Sequence, residues 1–315
     1  MARTGHLVSK RHRCCKTPAV GSATRPEFVH EALVYSSAEE LLARLIPFIS
    51  EGLKAGDPAL VVVPPEKIAL VQASLGPDAA KVEFVDATSF YGRPATTVAA
   101  YRKVVDEHPG ERMRVVGEVQ FGNSVTEHAA WTRYESILNA CFADDPVWII
   151  CPYDRRELPA HVLAYASRTH EFVSSGARYE TSTAYLHTDE LVARPASAAG
   201  PASLIEPLDR VSVHNEVDVE RARDAVTRAA RAAGLEADTV SDIAVVVSEL
   251  VRHALTRGES EVVVGRDGTH WACDVVVPAP ASHVGVSIGR LIGDGIELFT
   301  EPDRETVRLR FTAVA

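Results

Sequence analysis

No stretch of the sequence reaches the ~18 consecutive apolar residues of a membrane-spanning helix, and its first residues hold no apolar core of the signal-peptide kind. A cytoplasmic protein with no membrane association is therefore expected. Cysteine is scarce: Cys14, Cys15, Cys141, Cys151 and Cys273 form no C-x-x-C pair and no zinc spacing with histidine, so no metal site is expected. An odd number of cysteines, mostly inside apolar patterns, excludes a disulfide scaffold, and the last three read as core residues. Acidic residues are absent from residues 1–26, which hold Arg3, Lys10, Arg11, Arg13, Lys16 and Arg25. That segment reads as a disordered basic tail. The rest is more acidic than the net charge of −10 shows, which argues against direct nucleic-acid binding and suits a basic partner.

The 315 residues, 46% hydrophobic and 24% charged, suit two globular domains. From Phe28, β-rich runs at 28–35, 59–63, 82–86, 112–119 and 147–151 alternate with helical periods near 37–54, 65–74, 95–107, 128–141 and 158–173. Strands as continuously apolar as 59–63 are covered on both faces, so this is an α/β fold with a mainly parallel sheet sandwiched by helices. Ser36 or Ser37 caps the first helix, and Pro47 is expected to kink or break it. No glycine-rich phosphate loop follows 59–63: the chain reads Pro64-Pro65-Glu66-Lys67. Residues 193–207, with three prolines and no periodicity, read as a linker. The segments are thus a tail (1–26), a first domain (27–192), the linker and a second domain (208–315).

Ligands of an open parallel sheet sit beyond the C-terminal strand ends. Glu118 ends one strand and Tyr153 and Asp154 follow another, so these three are the candidate ligand-binding residues. The structural alternative has Asp154 capping a helix or pairing with Arg155 or Arg156, and Glu118 pairing with a neighbouring Arg. His161 and His170, nine residues apart, do not have the spacing of a helical metal pair.

Several motifs of residues 28–192 resemble those of the MEDS sensory family: His30-Glu31-Ala32-Leu33-Val34-Tyr35-Ser36-Ser37, Gly52 to Asp57, Gly117-Glu118, Cys151-Pro152-Tyr153-Asp154 and Thr169-His170. Glu171 departs from the proline expected after His170. The resemblance implies a RecA-like fold without its phosphate loop, and a small-molecule sensor without established catalysis.

In the second domain Asp218 is expected to cap a helix with Val219, Ala222, Ala225, Val226 and Ala229 on its apolar stripe, closed by Gly234. Strands follow at 261–265, 270–277 and 305–311, with Arg266-Asp267-Gly268 as a hairpin turn. Between them lies DIAVVVSELVRHALTRG, Asp242 to Gly258. At 100° per residue Ile243, Val247, Leu250 and Ala254 share one stripe, with Asp242, Glu249 and His253 along its edge. Ser248, Glu249, Leu250, Val251, Ala254 and Gly258 resemble the N-box of GHKL (HATPase) domains in bacterial anti-sigma-factor serine kinases, implying an α+β fold.

That resemblance carries altered site residues. His253 stands where an Asn would hold magnesium, and a neutral imidazole is a poor ligand for a hard cation. Val277 and Ala279 replace the adenine-reading Asp and Gly, and Gly285 belongs to a shortened glycine-rich lid. No cofactor is expected, ATP·Mg²⁺ binding only weakly or not at all. The function implied is a sensor coupled to an anti-sigma-like protein-binding domain. Its partner would be an alternative sigma factor or an anti-anti-sigma protein, and a homodimer is open. The alternative is an active ATP-dependent serine/threonine protein kinase with Glu249 as base; Glu249 otherwise reads as a carboxylate paired with Arg252 or Arg257. A metabolic enzyme is a weaker fit, because no nucleophile–base pair accompanies Glu118, Tyr153 and Asp154.

Overall fold

The computed structural model describes residues 28–191, 205–278, 296–300 and 304–312. The basic tail, most of the linker, Ala279 and Gly285 lie outside the described residues.

The first unit opens with β1 (Val29–Tyr35) and α1 (Ala38–Ala55). Ser37 caps α1 by accepting from the Glu40 amide, and Glu40 reaches back to the Ser36 amide at 2.7 Å. Gly56, at φ 86°, closes it. Pro47 lies inside α1, which runs on past it instead of breaking. Next come β2 (Ala59–Val63), α2 (Pro65–Leu75), β3 (Glu83–Asp86), the short α3 (Ala87–Phe90) and α4 (Pro94–Asp106). Then follow β4 (Met113–Gly117), α5 (Val125–Cys141), β5 (Val147–Asp154) and α6 (Ala160–Thr169). A capping box between Ser124 and Glu127 starts α5 three residues before the expected position.

The expected helix over 158–173 ends at Thr169. Beyond it, β6 (Phe172–Ser175) and β7 (Arg178–Thr181) form a hairpin, and the short α7 (Thr188–Leu191) follows. The sheet order is β3-β2-β4-β5-β1-β6-β7, parallel except for β7. Because side chains alternate along each strand, the sheet builds two cores. One gathers Leu41, Leu45, Phe48 and Val71 of α1 and α2 on Leu33, Val61 and Ile150. The other gathers Val98, Trp131, Leu138 and Val162 of α4, α5 and α6 on Ala32, Val115 and Ile149.

The second unit comprises β8 (Glu206–Val213), α8 (Glu216–Ala232), α9 (Ala237–Leu255), β9 (Ser260–Asp267), β10 (His270–Pro278), β11 (Ile296–Thr300) and β12 (Arg304–Thr312). Its antiparallel sheet has the order β11-β12-β10-β9-β8. Three features depart from expectation. The linker gives way to β8 before its last residues, because Ile205 and Glu206 pack over Gly265, where any Cβ would overlap them. Asn215, not Asp218, caps α8, and Asp218 instead accepts from the His214 amide at 3.1 Å. The β9–β10 turn is Gly268-Thr269, with Gly268 at φ 60°, because Arg266 and Asp267 of the expected turn are still paired within β9. Both helices cover one sheet face, where Val226, Ile243, Val247 and Leu250 meet Val262, Trp271, Cys273 and Val307. Ile137 of α5 joins this core, so the two units share apolar contact.

Candidate functional site

Strand alternation decides which of the predicted ligand residues meet. β5 extends through Asp154, so Tyr153 and Asp154 point to opposite faces. Asp154 lies in register with Tyr35, and the Tyr35 hydroxyl donates to Glu118 Oε1 at 3.1 Å. The structure therefore brings Glu118 and Asp154 to one face and sends Tyr153 to the other, against Phe121 and His170. Lys67, from the start of α2, also donates to Glu118 Oε1. Burial pushes the Glu118 carboxyl up against the pull of Lys67. Asp154 is held below the usual carboxylate range by Arg156, whose guanidinium and amide it accepts. Both carboxylates are thus paired within the fold, Asp154 with the Arg156 that the sequence offered and Glu118 with Lys67 in the first turn of α2, where the sequence holds no phosphate loop.

Tyr153 instead borders a cluster on the opposite face. His30 from β1, Glu135 from α5, Cys151 from β5 and His170 after α6 are all buried, and their ligand atoms lie within 4.8 Å of one another. His30 Nε2 is 3.3 Å from Cys151 Sγ and 3.2 Å from Glu135 Oε2, and His170 Nε2 is 3.5 Å from the same oxygen. Neither contact to Glu135 has hydrogen-bond geometry. Burial raises the Glu135 carboxyl, but the His170 and His30 imidazoles more than offset it and hold it below its ordinary value. Burial and His30 bring His170 down to about 4, a neutral imidazole near pH 7. Of these four, the sequence motifs contained His30, Cys151 and His170, without a ligand spacing. Glu135 sits beside Tyr134 and Leu138 on a buried helix face, where a lone carboxylate was the available signal. His161 pairs with His128 of α5 at 3.2 Å, apart from His170.

The third place is the junction between the units. There α4 and α9 lie side by side in the same direction, Arg93 meeting Asp238 and Asp242 at 2.5 and 3.1 Å. Further along, Arg102 Nη2 lies 3.6 Å from Glu249 Oε2, and Arg252 lies 3.6 Å from Asp106. Glu249 is 4% exposed, and burial raises its carboxyl although Arg102 and Arg252 pull it down. His253, half-buried, is held below its ordinary value by burial and Arg257. Both line a cleft of about 510 Å³ with Arg102, Arg252, Asp106, Asp145 and Glu216. Val277 lies on β10 in the helix-facing core of the second sheet and does not line this cleft.

A three-layer α/β unit with a mainly parallel sheet, and buried polar clusters on both of its faces, is thereby defined. Residues 29–171 match the family model described as MEDS, MEthanogen/methylotroph, DcmR Sensory domain. The match covers the unit that carries the Glu118 and His30 clusters and does not extend to the second sheet. No curated protein matches the chain. No helix among the described residues is long and apolar enough to cross a membrane.

Proposed function

We propose that the chain is a sensory regulator, in which residues 28–191 bind a small molecule and the α8/α9 unit binds a protein. Its C-terminal architecture, two helices on one face of an antiparallel sheet, is compatible with the GHKL resemblance. The observation that carries the reading is the α4–α9 contact. Tyr101 of α4 packs on Gly117, the residue before Glu118, and Arg102 next to it reaches Glu249 of α9. A ligand that displaces the end of β4 would thus bear on α4 and on its docking to α9. For this to regulate, the ligand has to favour one arrangement of the units over the other.

The partner class is an alternative sigma factor or an anti-anti-sigma protein. Arg221, Arg223, Asp224, Arg228 and Arg231 remain exposed on α8 and supply a charged face to set register and speed encounter. Nucleotide binding is disfavoured by the cleft at Glu249, where Asp106, Asp144, Asp145, Glu216 and Glu220 outnumber the two arginines and would repel a triphosphate. Two measurements on the full chain test this. Calorimetry with ATP and Mg²⁺ is expected to give millimolar binding or none. Low-micromolar binding would instead establish the kinase alternative. Co-purification from the native cytosol is expected to recover a sigma factor or anti-anti-sigma protein that Arg221→Glu/Arg228→Glu releases. If neither is recovered, the anti-sigma assignment fails.

A further inference from the structure

The His30, Glu135, Cys151 and His170 cluster is built from electron-pair donors turned toward one another. Asn139 Nδ2 donates to the Thr169 carbonyl at 2.7 Å, which turns its Oδ1 to His30 Nδ1 at 3.0 Å. An amide oxygen only accepts, so Nδ1 of His30 carries a proton and, in the neutral ring, Nε2 presents a lone pair to Cys151 and Glu135. His170 Nδ1 lies 2.9 Å from the Ala166 carbonyl, which leaves its Nε2 in the same condition. Neither Glu135 oxygen nor His170 Nε2 has a hydrogen-bond partner among the described residues. A buried carboxylate so placed is costly unless a cation offsets it.

The spacing fits one ion. A tetrahedral centre with bonds of about 2.0–2.1 Å to nitrogen and oxygen and about 2.3 Å to sulfur holds its ligand atoms about 3.3–3.6 Å apart. The separations of 3.2, 3.3 and 3.5 Å approximate three edges of that figure. Amide and backbone carbonyls on the outer nitrogens of both imidazoles are the partners that orient metal-binding histidines.

We infer that His30, Glu135, Cys151 and His170 form a closed, four-ligand site for a divalent transition ion of the zinc class. Two imidazoles, a sulfur and one carboxylate oxygen do not suit magnesium or calcium, which take oxygen ligands. Four protein ligands, all buried, leave no coordination position for a substrate, so the ion acts on structure and not as a catalyst. On binding, the Cys151 thiol releases its proton to solvent and coordinates as thiolate, with no change of oxidation state. Because the ligands come from β1, α5, β5 and the end of α6, occupancy pins the α5/α6 layer to the sheet.

The test uses the full chain, stripped with a chelator and titrated with Co²⁺ and then Zn²⁺. One equivalent of Co²⁺ is expected to give the visible bands of a tetrahedral ion with a near-ultraviolet thiolate-to-cobalt band, both removed by Zn²⁺. Cys151→Ser should abolish the near-ultraviolet band, and Glu135→Gln should weaken Co²⁺ at least 10-fold. Should either variant fail to fold, Asn139→Leu, which changes none of the four ligands but removes the partner of His30 Nδ1 and the donor to the Thr169 carbonyl, is expected to weaken Zn²⁺ about 10–100-fold. Absence of a stoichiometric band in the folded wild-type chain, bands that persist in Cys151→Ser, or unchanged Zn²⁺ affinity in Asn139→Leu would each overturn the site.

Discussion

Arg102 of α4 joins the two units through Glu249 of α9, 3.6 Å away, while donating to Asp145 at 2.7 Å. The guanidinium also lies over the Phe142 ring at 4.4 Å, and the residue is 7% exposed. Removing it takes the nearer cation from the buried Glu249, which keeps only Arg252 at 4.0 Å, and the donor from Asp145, so Arg102→Ala is expected to lower stability by about 3–5 kcal/mol. Urea denaturation should show the loss, with the α8/α9 unit unfolding ahead of the first. Glu249→Gln leaves Arg102 with Asp145 and should be nearly neutral. Equal losses from both variants would mean that the bridge is a balanced pair rather than a contact dominated by the arginine.

The raised Glu249 carboxyl gives the junction a pH dependence of definite sign. Burial favours its protonated form in the folded chain above the ordinary value of 4.5. Its contribution is therefore fully present below that value and is lost as pH rises through the folded pKa. Carboxylates held low, such as Asp154, act in the opposite direction, so the quantity to measure is a difference. Subtracting the Glu249→Gln stability profile from the wild type between pH 4 and pH 8 should leave a term that falls as pH rises. A rising term would show that the arginines outweigh burial.

Much of the fold was legible because its determinants are local. The Ser37–Glu40 cap, the apolar run of β2 and the 100° stripe of α9 each specify an element without reference to the rest of the chain. The β6–β7 hairpin was not legible: its strands are four residues each, and exposed Arg178 and Glu180 mask any apolar alternation. The start of β8 depends on Gly265, about sixty residues on in sequence, letting the Glu206 backbone and the Ile205 side chain approach. The buried cluster was hidden for the same reason, since His30 meets Cys151 across 121 positions and no spacing rule spans such a loop. Glu249 was recognised and the expected Arg252 does pair with it at 4.0 Å, but its nearer cation, Arg102 at 3.6 Å, comes from the other unit.

Gly117 has a steric rather than a conformational reason to be glycine, since its φ is not positive. A Cβ there would stand 2.5 Å from both the Tyr91 and Tyr101 hydroxyl oxygens, which bond each other at 2.7 Å. Gly117→Ala should therefore cost about 1–3 kcal/mol by overpacking, read as a lower thermal midpoint. Adding Tyr91→Phe, which removes one of the two clashing oxygens, should recover part of it. No recovery would place the strain in the backbone.

Lys67 and Glu118 form the buried pair at the strand ends, and the last prediction concerns what that pair does. Glu118 Oε1 takes donors from Lys67 and Tyr35, while its Oε2 has no hydrogen-bond partner among the described residues. Lys67 also lies over the Tyr35 ring at 5.4 Å, so lysine, phenol and carboxylate brace α2 and β1 against β4. Lys67→Met retains the aliphatic stem but removes the charge, leaving a buried carboxylate to protonate or to draw in water. The expected loss is about 3–5 kcal/mol near neutral pH, measured by urea denaturation. Acid should narrow it, because a protonated Glu118 has no need of the lysine. Lys67→Met/Glu118→Leu removes both partners and should recover most of the stability, as apolar replacements of buried pairs often do. If Lys67→Met alone were neutral at pH 7, Glu118 would already be protonated in the wild type, and a carboxylic acid poised to donate would be the group offered to a ligand at this crevice.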